Sequence, residues 1–140
     1  MTIAELMVHI LKRHAEGIHY REWNAGPKID ECMVDTGFNV DIYFDEKTGF
    51  LMGGNENNCG TWMDKMGSSF KTGNRGKPAT PRDGAPVELV GLLYSVLTWM
   101  GELNKKGDLK ENGTGMITWE DWAKKIKENF EPCFWIGEKK

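Results

Sequence analysis

The chain has 140 residues, 18 basic and 21 acidic, which is long enough for one domain with a buried core and gives a formal net charge of −3. This balance provides no basic surface of the kind that binds nucleic acid, and no apolar run approaches the roughly 20 residues of a membrane-spanning helix, so we expect neither partner. The three cysteines, Cys32, Cys59 and Cys133, fit neither a disulfide framework nor a zinc site, and residues 1–17 lack a signal-peptide pattern, which together indicate a reducing, cytoplasmic location.

The first predicted element is an amphipathic helix over residues 2–16. Thr2 and Glu5 have the spacing of a capping box, and Gly17 is well placed just past the helix end. Apolar residues recur on one face, at Ile3, Leu6, Met7, Ile10 and Leu11. The segment that follows, 18–37, contains helix and strand breakers and is predicted to be irregular.

A small β-hairpin is predicted next. Residues 39–44 alternate, with Val40, Ile42 and Phe44 on one side. Residues 45–49 have the composition of a turn, and residues 50–52 can return antiparallel to the first strand.

The segment from Gly53 to Glu88 has almost no helical or strand periodicity. It is rich in Gly, Asn, Trp, Arg and acidic residues, a mixture suited to binding a polyhydroxylated ligand rather than to forming a core. A long irregular segment in a compact chain is usually either functional or disordered. Two clusters, 60–64 and 80–84, combine aromatic or charged side chains with glycine and favour a functional role.

Two further helices are predicted after this segment. Pro86 opens one that runs to about Lys106 and is apolar nearly all round, a pattern typical of a helix buried on most sides. Residues 107–117 form a Gly/Asn-rich loop. Thr118 and Asp121 cap a third helix, whose apolar stripe consists of Trp122, Ile126 and Phe130. These elements offer too few partners to cover the second helix, so the chain either oligomerises or is part of a larger domain.

Asp64 is the candidate catalytic acid. Glycosidic bond cleavage needs one carboxylic acid to protonate the leaving oxygen and a second carboxylate to activate water or attack the sugar. Trp62 and Met63 lie beside Asp64 in the sequence, and their apolar bulk can raise its pKa by desolvation. Trp62 also offers a stacking surface for a sugar ring. A turn or helix-start aspartate is the structural alternative for Asp64.

Charged pairs with aromatic and amide neighbours are the candidate substrate-binding residues. Adjacent Arg82 and Asp83 can grip vicinal hydroxyls, since a guanidinium donates and a carboxylate accepts; the alternative is a surface ion pair. Glu88 either faces the same site or complements the dipole of the helix that begins beside it. The remaining candidates either belong to a similar cluster of charged and aromatic side chains or carry an amide that can bind a hydroxyl, and each could instead have a structural role. They are Arg21, Glu22, Trp23, Asn24 and Asn55.

Other chemistries receive little support from the sequence. His14 and His19 are interpreted as exposed or hydrogen-bonded structural residues. No phosphate-binding glycine motif followed by Lys and Ser or Thr is present, so no nucleotide is predicted. We therefore expect no cofactor and no metal.

At these residues the chain resembles the glucosidase region of eukaryotic-type glycogen debranching enzymes. The resemblance covers nearly the whole chain. The motifs that carry it are Gly17-Ile18, Arg21 through Pro27, Asp30, Asp35, Thr36 through Asn39, Thr48-Gly49-Phe50, Gly53-Gly54-Asn55, Asn58 through Gly67, Asn74-Arg75-Gly76 and Thr80 through Gly84, continuing to Val87-Glu88.

The resemblance implies a fold, a reaction and a role for Asp64. The fold would be mainly α, a partial α/α (six-hairpin) toroid barrel with long irregular active-site loops and one small β-hairpin, and residues 1–140 would be one incomplete segment of the catalytic domain. The reaction would be hydrolysis, with inversion, of the α-1,6-linked glucose left at a glycogen branch point. Asp64 matches the family's general acid, and the general base would lie downstream, outside this chain.

The resemblance also implies partners. Glycogen or a branched limit dextrin would be the substrate, and the remainder of the glucosidase domain would complete the barrel. The parent enzyme would also carry a 4-α-glucanotransferase, which this chain lacks, and the isolated chain would have little or no activity. The alternatives are a non-catalytic glucan-binding module and a non-functional fragment.

Overall fold

The computed structural model describes residues 2–23, 26, 31, 38–54, 67–79 and 83–137. These residues form three helices and three strands: α1 (Ile3–Glu16), β1 (Ile18–Glu22), β2 (Phe38–Phe44), β3 (Leu51–Met52), α2 (Val87–Lys106) and α3 (Trp119–Phe134). Helix therefore predominates over a small sheet, while the toroid barrel stays a prediction. Within the described ranges, no helix is long and apolar enough to cross a bilayer.

The sheet has three strands in the order β1-β2-β3. The predicted hairpin of β2 and β3 is confirmed, but the prediction of an irregular segment after Gly17 is wrong for residues 18–22, which form β1. This strand pairs antiparallel with β2, Ile18 opposite Ile42 and Glu22 opposite Phe38. Its sequence has no clear apolar alternation because its middle residues are exposed, so the pairing with β2 rather than a local pattern defines it.

Contacts divide the chain into two compact units. One unit contains Met1–Glu16, Phe44–Leu51 and Pro86–Lys140, and the other contains Gly17–Tyr43 and Met52–Ala85. The first unit therefore holds all three helices and the turn between β2 and β3, and the second holds most of the sheet together with the long segment that follows it.

The core of the helical unit lies where α2 packs against α3. Its most deeply buried side chains are Val90, Leu97, Met100, Trp119, Trp122 and Ile126. Gly101 allows close approach, since a Cβ atom there would lie 3.3 Å from Cγ of Glu120. The apolar stripe predicted for α3 is thus confirmed as a core-facing stripe at Trp122 and Ile126.

Both core tryptophans have their indole N–H groups satisfied inside the helical unit. Trp119 Nε1 donates to the carbonyl of Glu111 at 2.8 Å, and Trp122 Nε1 donates to the carbonyl of Gly49 at 2.7 Å. Trp122 also meets Phe44 edge to face, with ring centroids 5.3 Å apart. These two residues are therefore structural, as is usual for a buried Trp that has found a partner.

The predicted helix boundaries follow from local capping. Thr2 N donates to Glu5 Oε2 at 2.7 Å and Glu5 N donates to Thr2 Oγ1 at 3.2 Å, which confirms the capping box of α1. Thr118 Oγ1 accepts from Asp121 N at 3.1 Å and caps α3. Gly107 ends α2 in the left-handed conformation, with φ 81°.

Helix α2 is less buried than its sequence predicts. Leu89, Leu92 and Trp99 are 41%, 61% and 46% exposed, and they lie three and seven residues apart along one side of the helix. The apolar pattern of α2 is typical of a helix buried on most sides, but among the described residues the buried side is the one that carries Val90, Leu97 and Met100, which agrees with the expected shortage of packing partners. We call Leu89, Leu92 and Trp99 the α2 stripe.

Candidate functional site

The described part of the candidate site begins where β1 ends, at Arg21 and Trp23. The guanidinium carbon of Arg21 lies 5.1 Å from the centroid of the Trp23 ring, within range of a cation–π interaction. Arg21 Nη1 also donates to Oδ1 of Asn39 at 3.3 Å. The guanidinium is therefore held between an aromatic ring and an amide, and Trp23 remains 71% exposed.

The strand pairing explains this arrangement. Arg21 lies directly opposite Asn39 in the antiparallel register of β1 and β2, so their side chains leave the sheet on the same face. An exposed indole beside a fixed guanidinium has the chemistry that a sugar ring requires, because the apolar C–H face of the ring stacks on the indole and its hydroxyls accept from the guanidinium.

Glu22 is placed differently from its neighbour. Successive strand residues point to opposite faces, so Glu22 lies on the other face of the sheet from Arg21, opposite Phe38 in the register. The side chain is half-buried. Of the predicted binding residues, Arg21 and Trp23 are in contact, whereas strand alternation places Glu22 on the other face of the sheet.

A backbone bridge closes the long segment that contains Asp64 in the sequence. Gly53 and Gly84 form an isolated antiparallel bridge, in which each N–H donates to the other's carbonyl at 2.8 Å. Gly84 has φ 84°, a conformation that side chains rarely adopt. A Cβ atom on Gly53 would lie 3.3 Å from Cγ1 of Ile42, so this glycine also lets the bridge sit against β2. The two ends of residues 54–83 are thus fixed next to one another.

A second closure lies inside this segment. Gly67 N donates to the carbonyl of Lys77 at 2.8 Å, and Gly76 N donates to the carbonyl of Gly67 at 2.9 Å. A Cβ atom on Gly67 would collide with the carbonyl oxygen of Asn74 at 2.1 Å, so only glycine fits there. The chain between Gly53 and Gly67, which includes Asp64 in the sequence, therefore begins and ends at hydrogen-bonded positions.

The other predicted site residues divide into two groups. Asp83 is exposed next to the bridge residue Gly84, and Glu88 is half-buried in the first turn of α2, where a carboxylate complements the helix dipole. Asp83 and Glu88 belong to different units. The remaining predicted residues lie outside the described residues: Asn24, Asn55, Trp62, Asp64 and Arg82.

Asn39 is the contact that the sequence did not single out. In the sequence it stands out only as part of a resembling motif, yet its amide oxygen accepts a hydrogen bond from the Arg21 guanidinium. The signal that identifies it is the strand register, which cannot be assigned until β1 is recognised as a strand. Among the described residues, no group of three His, Cys, Asp or Glu side chains is arranged to hold a metal ion, and Cys133 is a free, exposed thiol.

Comparison with known proteins identifies the family of this chain. The family model described as amylo-alpha-1,6-glucosidase matches residues 2–140. The chain belongs to the amylo-alpha-1,6-glucosidase family. It is also 47% identical to the glycogen debranching enzyme of Saccharomyces cerevisiae over 142 aligned residues, which cover 98% of this chain. The chain spans only 9% of the length of that yeast protein.

Membership of the amylo-alpha-1,6-glucosidase family gives the described contacts a chemical context. The exposed indole and fixed guanidinium at the end of β1 occur in a chain whose family is named for the hydrolysis of a glycosidic bond. An indole face can stack on a sugar ring, and a guanidinium can donate hydrogen bonds to hydroxyls.

Proposed function

We propose that this chain forms part of a glycogen-debranching α-1,6-glucosidase that releases the single glucose at a branch point with inversion. Support comes from the family match over residues 2–140 and from the 47% identity to a glycogen debranching enzyme. The observation that carries the proposal is the match of nearly the whole chain to the glucosidase family, since the residues that resemble the glucosidase site all fall within it.

Asp64 is the proton donor in this proposal. As general acid it protonates the glycosidic oxygen while a carboxylate outside this chain activates water on the opposite face of the sugar ring. The isolated chain supplies one carboxylate of this pair and therefore releases no glucose. Support for the role of Asp64 comes from its place within the residues that the glucosidase family model matches.

Arg21 and Trp23 hold the glucose unit in this proposal. The sugar stacks on Trp23, and the guanidinium of Arg21, oriented by Asn39, donates to its hydroxyls. The other residues proposed to bind the substrate are Glu22, Asn24, Asn55, Trp62, Arg82, Asp83 and Glu88. Glu22 is the weakest member of this set, because strand alternation directs it to the other face of the sheet.

The substrate and partners follow from the same proposal. Glycogen or a branched limit dextrin is the substrate, and a longer enzyme in the cytoplasm also carries the 4-α-glucanotransferase. Further helices of the glucosidase domain cover the α2 stripe and complete a helical toroid. The exposure of Leu92 and Trp99 supports such a cover, since contiguous exposed apolar patches usually mark an interface.

The experiment that tests the proposal is substitution of Asp64 in a longer enzyme that contains this chain. Asp64→Asn should lower glucose release from a branched limit dextrin by at least about 10²-fold, the usual contribution of a general acid, while glucan transfer continues. Asp108→Asn is the matched control, because Asp108 lies on an exposed loop position. Unchanged glucose release by the Asp64 variant would exclude this residue as the acid.

A non-catalytic glucan-binding module is the second candidate. The exposed Arg21–Trp23 pair favours it, because these residues bind sugar whether or not a bond is cleaved. If the longer enzyme retains glucose release after Asp64→Asn while the isolated chain binds a branched oligosaccharide in a calorimetric titration, this function replaces the first.

A further inference from the structure

A second cross-strand pair lies beside the Arg21–Trp23 contact. His19 Nδ1 is 2.9 Å from Oδ1 of Asp41, and the two side chains are 60% and 61% exposed. Gly17 makes room for this imidazole, since a Cβ atom there would lie 2.9 Å from His19 Nε2. The His19 ring is thus held by a carboxylate on one side and a glycine on the other, while most of its surface faces solvent.

The strand register places both pairs on one face of the sheet. His19 lies opposite Asp41 and Arg21 lies opposite Asn39, and residues two apart along a strand point the same way. The resulting polar face consists of His19, Arg21, Asn39 and Asp41 and ends at Trp23. From His19 to Trp23 it extends about 13 Å at the rise of a strand, which is longer than one sugar ring.

We propose that this polar face binds an α-glucan chain of at least two glucose units, with one unit at Trp23 and the next at His19 and Asp41. The proposal rests on the function proposed above and adds His19 and Asp41 as ligands for a neighbouring glucose. Vicinal hydroxyls both donate and accept hydrogen bonds. A carboxylate can accept from one hydroxyl, and the N–H of the neighbouring imidazole can donate to another. The His19 and Asp41 side chains hold each other in place, so little side-chain ordering remains to oppose binding.

Glycogen offers such a ligand at every branch, because its chains are runs of linked glucose. A surface with room for one ring would bind glucose and a longer glucan equally well. If the polar face binds two glucose units, affinity should instead increase with chain length. Only the additional affinity gained beyond the first ring should depend on His19 and Asp41.

NMR titration of the 140-residue chain with glucose and with maltohexaose tests this inference. The wild-type chain should bind maltohexaose more tightly than glucose. His19→Ala and Asp41→Ala should each weaken maltohexaose binding about fivefold to tenfold, the effect of losing one hydrogen bond to a polar ligand. Both variants should bind glucose as the wild type does, which also shows that they are folded. Trp23→Ala should weaken the binding of both sugars.

Tyr20→Ser is the matched control, because Tyr20 is 53% exposed on the opposite face of the same strand. It should bind both sugars as the wild type does. Wild-type affinity for maltohexaose in the His19 and Asp41 variants, or equal loss of glucose binding, would overturn the second glucose position. A wild-type chain that binds neither sugar would instead contradict the role in glucose binding proposed above for Arg21 and Trp23.

Discussion

Gly84 is the residue whose backbone conformation matters most for the segment that contains Asp64. It has φ 84° and exchanges two hydrogen bonds with Gly53. Gly84→Ala should destabilise the chain by about 1–2 kcal/mol, because a Cβ atom in the left-handed region meets the following carbonyl. The free energy of unfolding, measured by urea titration, checks this value.

Gly91 provides the control for that substitution. It lies in the middle of α2, and a Cβ atom there would meet nothing within 4 Å. Gly91→Ala should therefore stabilise the chain by about 0.5–1 kcal/mol, as expected when alanine replaces glycine inside a helix. If the two alanine variants had the same effect on unfolding, the conformation of Gly84 would not be the cause.

Residue-level chemistry was predictable where the sequence itself brings the groups together. Arg21 and Trp23 are two residues apart, both are among the predicted binding residues, and their side chains are in contact. His19 and Asp41 are separated by 22 residues, so only the register of β1 on β2 makes them neighbours. The polar face as a whole could therefore not be predicted from local sequence patterns.

At the element scale, the turn between β2 and β3 gives a pH-dependent prediction. A hydrogen bond from the Thr48 hydroxyl is the largest cause that lowers the pKa of Asp45 below its usual value, and the Lys47 and Thr48 amides lower it further. A carboxyl group with a lowered folded pKa stabilises the fold above its unfolded pKa, and this stabilisation disappears as pH falls through the folded pKa.

Asp45→Asn should therefore destabilise the chain at pH 7, by less than about 1 kcal/mol because the turn is solvent-accessible. The difference from wild type should shrink as pH is lowered from about 4 toward 2, where the wild-type carboxyl becomes protonated. Urea titrations at both ends of this range measure it. Asp108→Asn serves as the control for removing one negative charge, and a difference that persists unchanged at pH 2 would rule out Asp45 ionisation as its source.

Elements with local start and stop signals were predictable, and elements defined by pairing were not. The caps at Thr2 and Thr118 fix where α1 and α3 begin, and both boundaries agree with the sequence to within one residue. Strand β1 has no such signal. Its exposed residues carry no alternation, and it exists because β2 offers a partner for its backbone groups.

At the scale of the whole molecule, the sequence indicated a shortage of packing partners, and the α2 stripe is where that shortage is found. The all-round apolar pattern of α2 correctly identified a helix with two apolar sides. It could not identify which side α3 would cover, because hydrophobic periodicity specifies that a face is buried and not what buries it. Leu92 lies on the uncovered side and is 61% exposed, whereas Leu97 lies on the buried side and is 0% exposed.

The pair Leu92 and Leu97 therefore tests whether the α2 stripe is a surface of the isolated chain. Leu92→Glu should change the free energy of unfolding by less than about 0.5 kcal/mol, whereas Leu97→Glu, which buries a charge in the core, should cost more than about 4 kcal/mol and unfold the chain. Leu92→Glu should also reduce the binding of a dye that reports exposed apolar surface, and should reduce self-association in light scattering. Comparable destabilisation by the two variants would mean that the stripe is covered within this chain, and the covering helices proposed for the longer enzyme would then have no apolar surface on α2 to contact.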